Sequence, residues 1–153
     1  MQVMQTTKRL LFGSSPLMTD IGLLAIRLWF GIVMAVAHGI PKFSKIEAFA
    51  AGLAKDGVPL PEVMAWLAAL TETGGGFLIA LGFLTRPMAL GLVITMCVAA
   101  FVKHIDDPFA KMEFALLYGV GFLALLVSGP GRLSLDHLIG RRLLSGSPST
   151  PER

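Results

Sequence analysis

The chain has 153 residues, of which 54% are hydrophobic and only 15% charged, and its mean hydropathy is +0.73. Soluble domains carry about 25% charged residues, and a chain this short exposes too much surface to hide so many apolar side chains under a polar coat. These values exclude a soluble globular enzyme and a disordered regulator. The net charge of +3 comes without the compact basic patch or aromatic-interleaved strand that nucleic acid requires.

Residues 1–16 read as a cytoplasmic N-terminal segment. Lys8 and Arg9 precede an apolar patch, Leu10 to Gly13, too short for a signal-peptide core, and Ser14-Ser15-Pro16 breaks it. A four-span membrane domain over 17–131 follows. The first span, 17–40, is interrupted by Arg27 and closes on His38, Gly39 and Pro41. The loop after it carries Phe43, Ile46, Phe49, Ala50 and Leu53 at helical spacing, which predicts an amphipathic helix on the membrane surface. The second span, 62–84, carries Glu72, and a Thr85-Arg86-Pro87 hairpin leads to the uncharged third span, 87–102. The fourth span, 113–128, follows the polar turn at Asp106-Asp107-Pro108 and stops at Gly129-Pro130-Gly131. Spans three and four lie at the short end of the spanning range, so Lys103 and Lys111 snorkel outward from them. Residues 132–153 read as cytoplasmic: Ser134 caps a short amphipathic helix, 135–144, whose Arg141-Arg142 pair suits an anionic leaflet, and the Ser/Pro-rich tail reads as disordered. Short connections imply antiparallel neighbours, so the expected fold class is all-α, an up-down antiparallel integral membrane four-helix bundle.

Seven lysines and arginines fall on the side holding both termini and five on the opposite side. That bias predicts a multi-pass membrane protein with both termini cytoplasmic.

Two charges fall inside the spans. An ionisable group at mid-bilayer costs at least about 2.5–3.5 kcal/mol and marks a buried partner or a functional site. Arg27 and Glu72 lie at about 12 Å and 15 Å depth from opposite faces, counted at 1.5 Å per residue. The expectation is an Arg27–Glu72 pair facing the bundle interior, either functional or serving only to fix helix register. His38 returns to the Arg27 face three turns later, with Lys42 one turn beyond, and Lys103, His104 and Glu113 reach the same outer surface. Arg27, His38, Lys42, Glu72 and Glu113 are therefore the candidate ligand-binding or proton-relay residues, and no catalytic residue is assigned. Gly74, Gly75 and Gly76 read as helix-packing positions, because small residues let membrane helices approach closely. His38, His104, Asp106 and Glu113 are ligand types, but none shows a two-histidine spacing on one element, so no metal site is expected. The single cysteine, Cys97, excludes an intramolecular disulfide.

The order Arg27, His38-Gly39-x-x-Lys42, Glu72-x-Gly74-Gly75, Leu81-Gly82-x-x-Thr85-Arg86 and Gly129-x-Gly131-Arg132-x-Ser134-Leu135-Asp136 resembles the bacterial DoxX family from about Arg27 to Asp136. The resemblance implies a four-span inner-membrane protein. The family takes its name from a subunit of an archaeal thiosulfate:quinone oxidoreductase, and some members are linked to membrane oxidoreductase complexes or thiol-stress responses. It carries no established catalytic mechanism. The expected function is a subunit associated with membrane oxidoreductase activity, quinone-linked or thiol-stress. It binds a small lipophilic molecule near the Arg–Glu pair, with quinone as the candidate cofactor. The alternative is a non-enzymatic membrane scaffold or small-solute carrier with a purely structural pair. The expected partners are the lipid bilayer, redox-complex subunits and a second copy of the chain.

Overall fold

The computed structural model describes residues 15–145, with side chains to residue 143. The N-terminal residues 1–14 and the Ser/Pro-rich tail expected to be disordered lie outside the described residues. Among the described residues there are helices and no strands, and four helices are long and apolar enough to cross a membrane.

Helix α1 is Pro16–Phe43, with Pro16 in the first turn, where its missing N–H costs nothing. It runs past Ile40, the expected end of the span. The cause is a wide, π-helical turn at Met34–Gly39 in which the Ile40 N–H is donated to the Ala35 carbonyl, five residues back. A new α-helical segment starts there, with Pro41 in its first turn rather than in a helix interior. Helix α2, Ile46–Lys55, is the amphipathic helix of the first loop. Its Ala50 and Leu53 are buried with Ala65, and Phe49 and Met64 pack around them. Helix α3 is Pro61–Leu81, with a second wide turn at Thr71–Gly75. Helix α4 is Thr85–Lys103, with a third at Ala99–Lys103, and helix α5 is Phe109–Ser128. Helix α5 begins directly after Pro108, so Lys111 and Glu113 are helical residues. Hydropathy marks where lipid contact ends, whereas hydrogen bonding continues the helix into the polar layer.

Helix α6, Leu135–Ser145, starts where the Ser134 Oγ accepts the His137 N–H at 3.2 Å. α1 packs along α3 and α4 along α5, and the two pairs close into one bundle. Its core holds Met34, Ile79, Leu92, Phe122 and Leu125.

The α1–α3 contact sets the register of everything that follows. Gly76 sits against α1, where a Cβ would stand 2.7 Å from the Gly31 carbonyl oxygen and 3.0 Å from the Ala35 nitrogen. Gly31 in turn faces the Gly76–Ala80 stretch, and Gly39 lies against Thr73. Of the three consecutive glycines, Gly76 makes the close backbone approach and Gly75 meets only side chains of α4. Gly74 is exposed, with no atom within 4 Å of where its Cβ would stand, so it makes no packing contact among the described residues.

Candidate functional site

The register places Arg27 level with the turn after α3 and Glu72 level with the last turns of α1. The two are separated along the bundle by about twelve residues, or about 18 Å at 1.5 Å per residue. The expected Arg27–Glu72 pair is therefore not formed. Equal depths hold only if the apolar stretches start and stop together. The first turns of α3 instead pack mainly against α2 and touch α1 only at its last turns, through Phe43 and Trp66, which slides Glu72 toward the end of the first span.

Glu72 has a charged partner, whereas Arg27 has a backbone carbonyl and keeps its Nε and Nη1 buried without a hydrogen bond among the described residues. Glu72, 3% exposed, pairs with Lys42. Lys42 lies with its ammonium 5.1 Å from the centroid of the Phe49 ring, so α2 helps to hold it over the carboxylate. Arg27, 1% exposed, donates from Nη2 to the Leu133 carbonyl. It belongs to a polar knot that folds the segment after α5 back onto the bundle. The Asp20 carboxylate accepts the Arg132 backbone N–H at 2.8 Å and the Arg132 Nε–H at 2.6 Å. The Asp136 carboxylate accepts the Leu84 and Thr85 N–H groups at 2.8 and 3.0 Å, capping the start of α4. Gly82, at φ +69°, is the one residue that fits beside the guanidinium, because a Cβ there would collide with Arg27 Nη1.

At the other end, the three wide turns surround one cavity of about 150 Å³. Met34 and His38 come to it from the turn in α1, Glu72 from the turn in α3 and Ala99 from the turn in α4. Wide turns of this kind recur at functional sites, because the extra residue re-aims side chains off the regular helical stripe. Lys42, Met96 and His104 also line it, and α5 supplies Lys111, Phe114, Ala115 and Tyr118 from one face. The Tyr118 ring stands edge-on to His38, with centroids 5.3 Å apart. The structure thus brings His38, Lys42 and Glu72 together. It leaves Arg27 outside, and it leaves Glu113 exposed and off the cavity, since Glu113 lies two residues from Lys111 and so on another face of α5. Tyr118, Met34 and Phe114 were not singled out from the sequence. Tyr118, as the chain's one tyrosine and seven residues beyond Lys111, is the member whose spacing carried a signal.

The connection between α4 and α5 forms the rim. Asp107 holds His104 Nδ1 at 2.7 Å and Lys111 Nζ at 2.9 Å, and Lys103 reaches Asp56 at 2.7 Å from α2. The bond to His104, followed by that to Lys111, holds the Asp107 carboxyl below its usual range. Among the described residues no three His, Cys, Asp or Glu side chains come together in a way that could hold a metal ion.

Comparison with known proteins agrees with this architecture. The DoxX family profile matches residues 22–105. The inner membrane protein YqjF of Escherichia coli K12 is 32% identical over 130 residues, covering 80% of this chain and 95% of that protein. The inner membrane protein YphA of the same organism is 27% identical over 144 residues, 88% of this chain and 99% of that one. CatD of Bacillus subtilis 168, whose name assigns it provisionally to the oxidoreductases, is 30% identical over 131 residues, 85% of this chain and 96% of that one. No solved structure matches the chain significantly. With four spanning helices, a profile match over more than half its length and relatives aligned almost end to end, the chain is a multi-pass inner-membrane protein and a member of the DoxX family.

Proposed function

We propose that this protein serves membrane oxidoreductase chemistry by binding the polar head of a small lipophilic molecule, with quinone as the leading candidate, in the cavity above the Lys42–Glu72 pair. The observation that carries the reading is the convergence of three wide helical turns on one cavity that holds a buried carboxylate, its ammonium partner and an imidazole. Lys42 and His38 are suited to donate to a carbonyl or hydroxyl oxygen, and Glu72 to accept a proton by way of Lys42. The name of CatD supports the oxidoreductase association. Its partners would be subunits of a redox complex, or a second copy of the chain, seated against the outward apolar faces of the spans.

The reading is tested by titrating the purified protein with ubiquinone and menaquinone analogues. Glu72→Gln and His38→Phe should each weaken binding at least fivefold, whereas Glu113→Gln and Arg27→Met should leave it within twofold. Unchanged affinity in both cavity variants would sink the assignment.

The scaffold alternative gains one specific support, the structural knot around Arg27, Asp20 and Asp136. It predicts that cavity variants fold and leave the redox pathway of the cell intact. The excess of basic residues beside α6 and the turn before α4 supports cytoplasmic termini. Reporter fusions active on the cytoplasmic side alone are the expected result.

A further inference from the structure

We propose that the cavity fills sideways from the bilayer, through the seam between α1 and α5. Its occupant would be an amphiphile whose head is a single aromatic ring bearing uncharged hydroxyls and whose tail lies along that seam. The inference rests on the ligand-site reading above and adds the route and the head chemistry.

The route follows from which lining residues are open. The exposed ones are His38 on α1 and Lys111 and Phe114 on α5, with Phe114 at 65%, whereas Glu72 on α3 and Met96 on α4 are buried. The mouth therefore faces outward between α1 and α5. Toward the termini the same seam is shut. The Phe30 ring of α1 packs into the space left by Gly121 and stands edge-on to Tyr118 and Phe122, at 5.4 and 6.0 Å between centroids. The seam is open at the level of the cavity and sealed below it, as a lateral portal requires.

The head chemistry follows from charge and size. His38, Lys42, His104 and Lys111 line the cavity with one carboxylate, Glu72, so hydrogen-bond donors outnumber acceptors there. Glu72 pairs with Lys42 and Asp107 holds His104 and Lys111, so the two lysines are already offset by two carboxylates. Uncharged oxygen acceptors and hydroxyls suit that donor-rich, charge-balanced lining, and neither a cationic nor a fully ionised anionic head does. A volume of about 150 Å³ holds one benzene-sized ring, and the edge-on Tyr118 and His38 rings beside Met34 and Met96 make walls suited to an aromatic plane.

The test uses the full chain in phosphatidylcholine nanodiscs with three probes of similar tail length: decylhydroquinone kept reduced, decylbenzylammonium and dodecyl phosphate. Decylhydroquinone should bind at least tenfold more tightly than either of the others. A decylhydroquinone with a photoreactive group on its first tail carbons should label α1 and α5. Equal binding of the ammonium or of the phosphate probe overturns the head assignment, and adducts confined to α2, α3 or α4 overturn the route. If neither hydroquinone nor quinone analogues bind, the ligand-site reading itself falls, so the two failures are told apart.

Discussion

Glu72 sits at 3% exposure inside an apolar bundle, a position that costs several kcal/mol unless a partner offsets it. Lys42, at 23%, is the more exposed member and can swing toward the interface. The pair should therefore be asymmetric. Lys42→Met strands a buried carboxylate and should cost about 3–5 kcal/mol in unfolding free energy, Glu72→Met should cost less, and the double replacement should be milder than Lys42→Met alone. Denaturation in mild detergent followed by circular dichroism checks the order. Arg27 is a different case, because its role is to hold the Leu133 carbonyl. Arg27→Met should leave ligand affinity unchanged while accelerating amide exchange over residues 129–135. Both charges were legible in the sequence as anomalies, since Arg and Glu inside apolar stretches need a reason. Their partners were not legible, because pairing depends on helix register, and register is set by Gly31 against Gly76 rather than by any feature of the charges themselves.

At the level of elements, hydropathy located four spans and the amphipathic α2, and the Ser134 cap marked the start of α6. It missed the ends. Pro41 looks like a terminator, yet the wide turn before it lets α1 continue, and Lys111 looks like loop although it lies inside α5. Wide turns leave no mark in a hydrophobic pattern, so three of the features that shape the cavity could be found only in the structure. Capping across elements is another such feature. Asp136 serves the first residues of α4 from 51 and 52 positions away, and Asp136→Ala should destabilise by about 1–2 kcal/mol, with faster exchange at the Leu84 and Thr85 amides. The rim has a pH dependence of its own. The Asp107 carboxyl lies below its ordinary value of 3.8 because His104 and Lys111 bind its ionised form. The stabilisation it lends is therefore complete above that value and lost as pH falls below it through the lowered one. Hydrogen exchange in the α4–α5 connection should rise on acidification through that window, and Asp107→Asn should abolish the dependence.

For the whole molecule, the outward surface is the lipid-facing one. Trp29, Val120 and Val127 are each at least 65% exposed, at 67%, 65% and 73%. Val120→Arg, near the middle of α5, should cost about 2.5–3.5 kcal/mol at insertion and lower the membrane-integrated fraction in a protease-protection assay. Gly74→Ala, on an exposed position with nothing near it, should not. The two ends of the bundle divide the labour. One is tied shut by Arg27, Asp20 and Asp136, and the other holds the cavity. The tied end also sets a timetable for biosynthesis. The Leu133 carbonyl lies 106 residues after Arg27, and Arg132 lies 112 after Asp20. At about 5–20 residues per second, a ribosome needs some 5–20 s to supply those partners. Until then the first span waits in the translocon or bilayer with its arginine unmatched, and a released chain truncated before residue 132 would keep its four spanning helices without the residues that lock them.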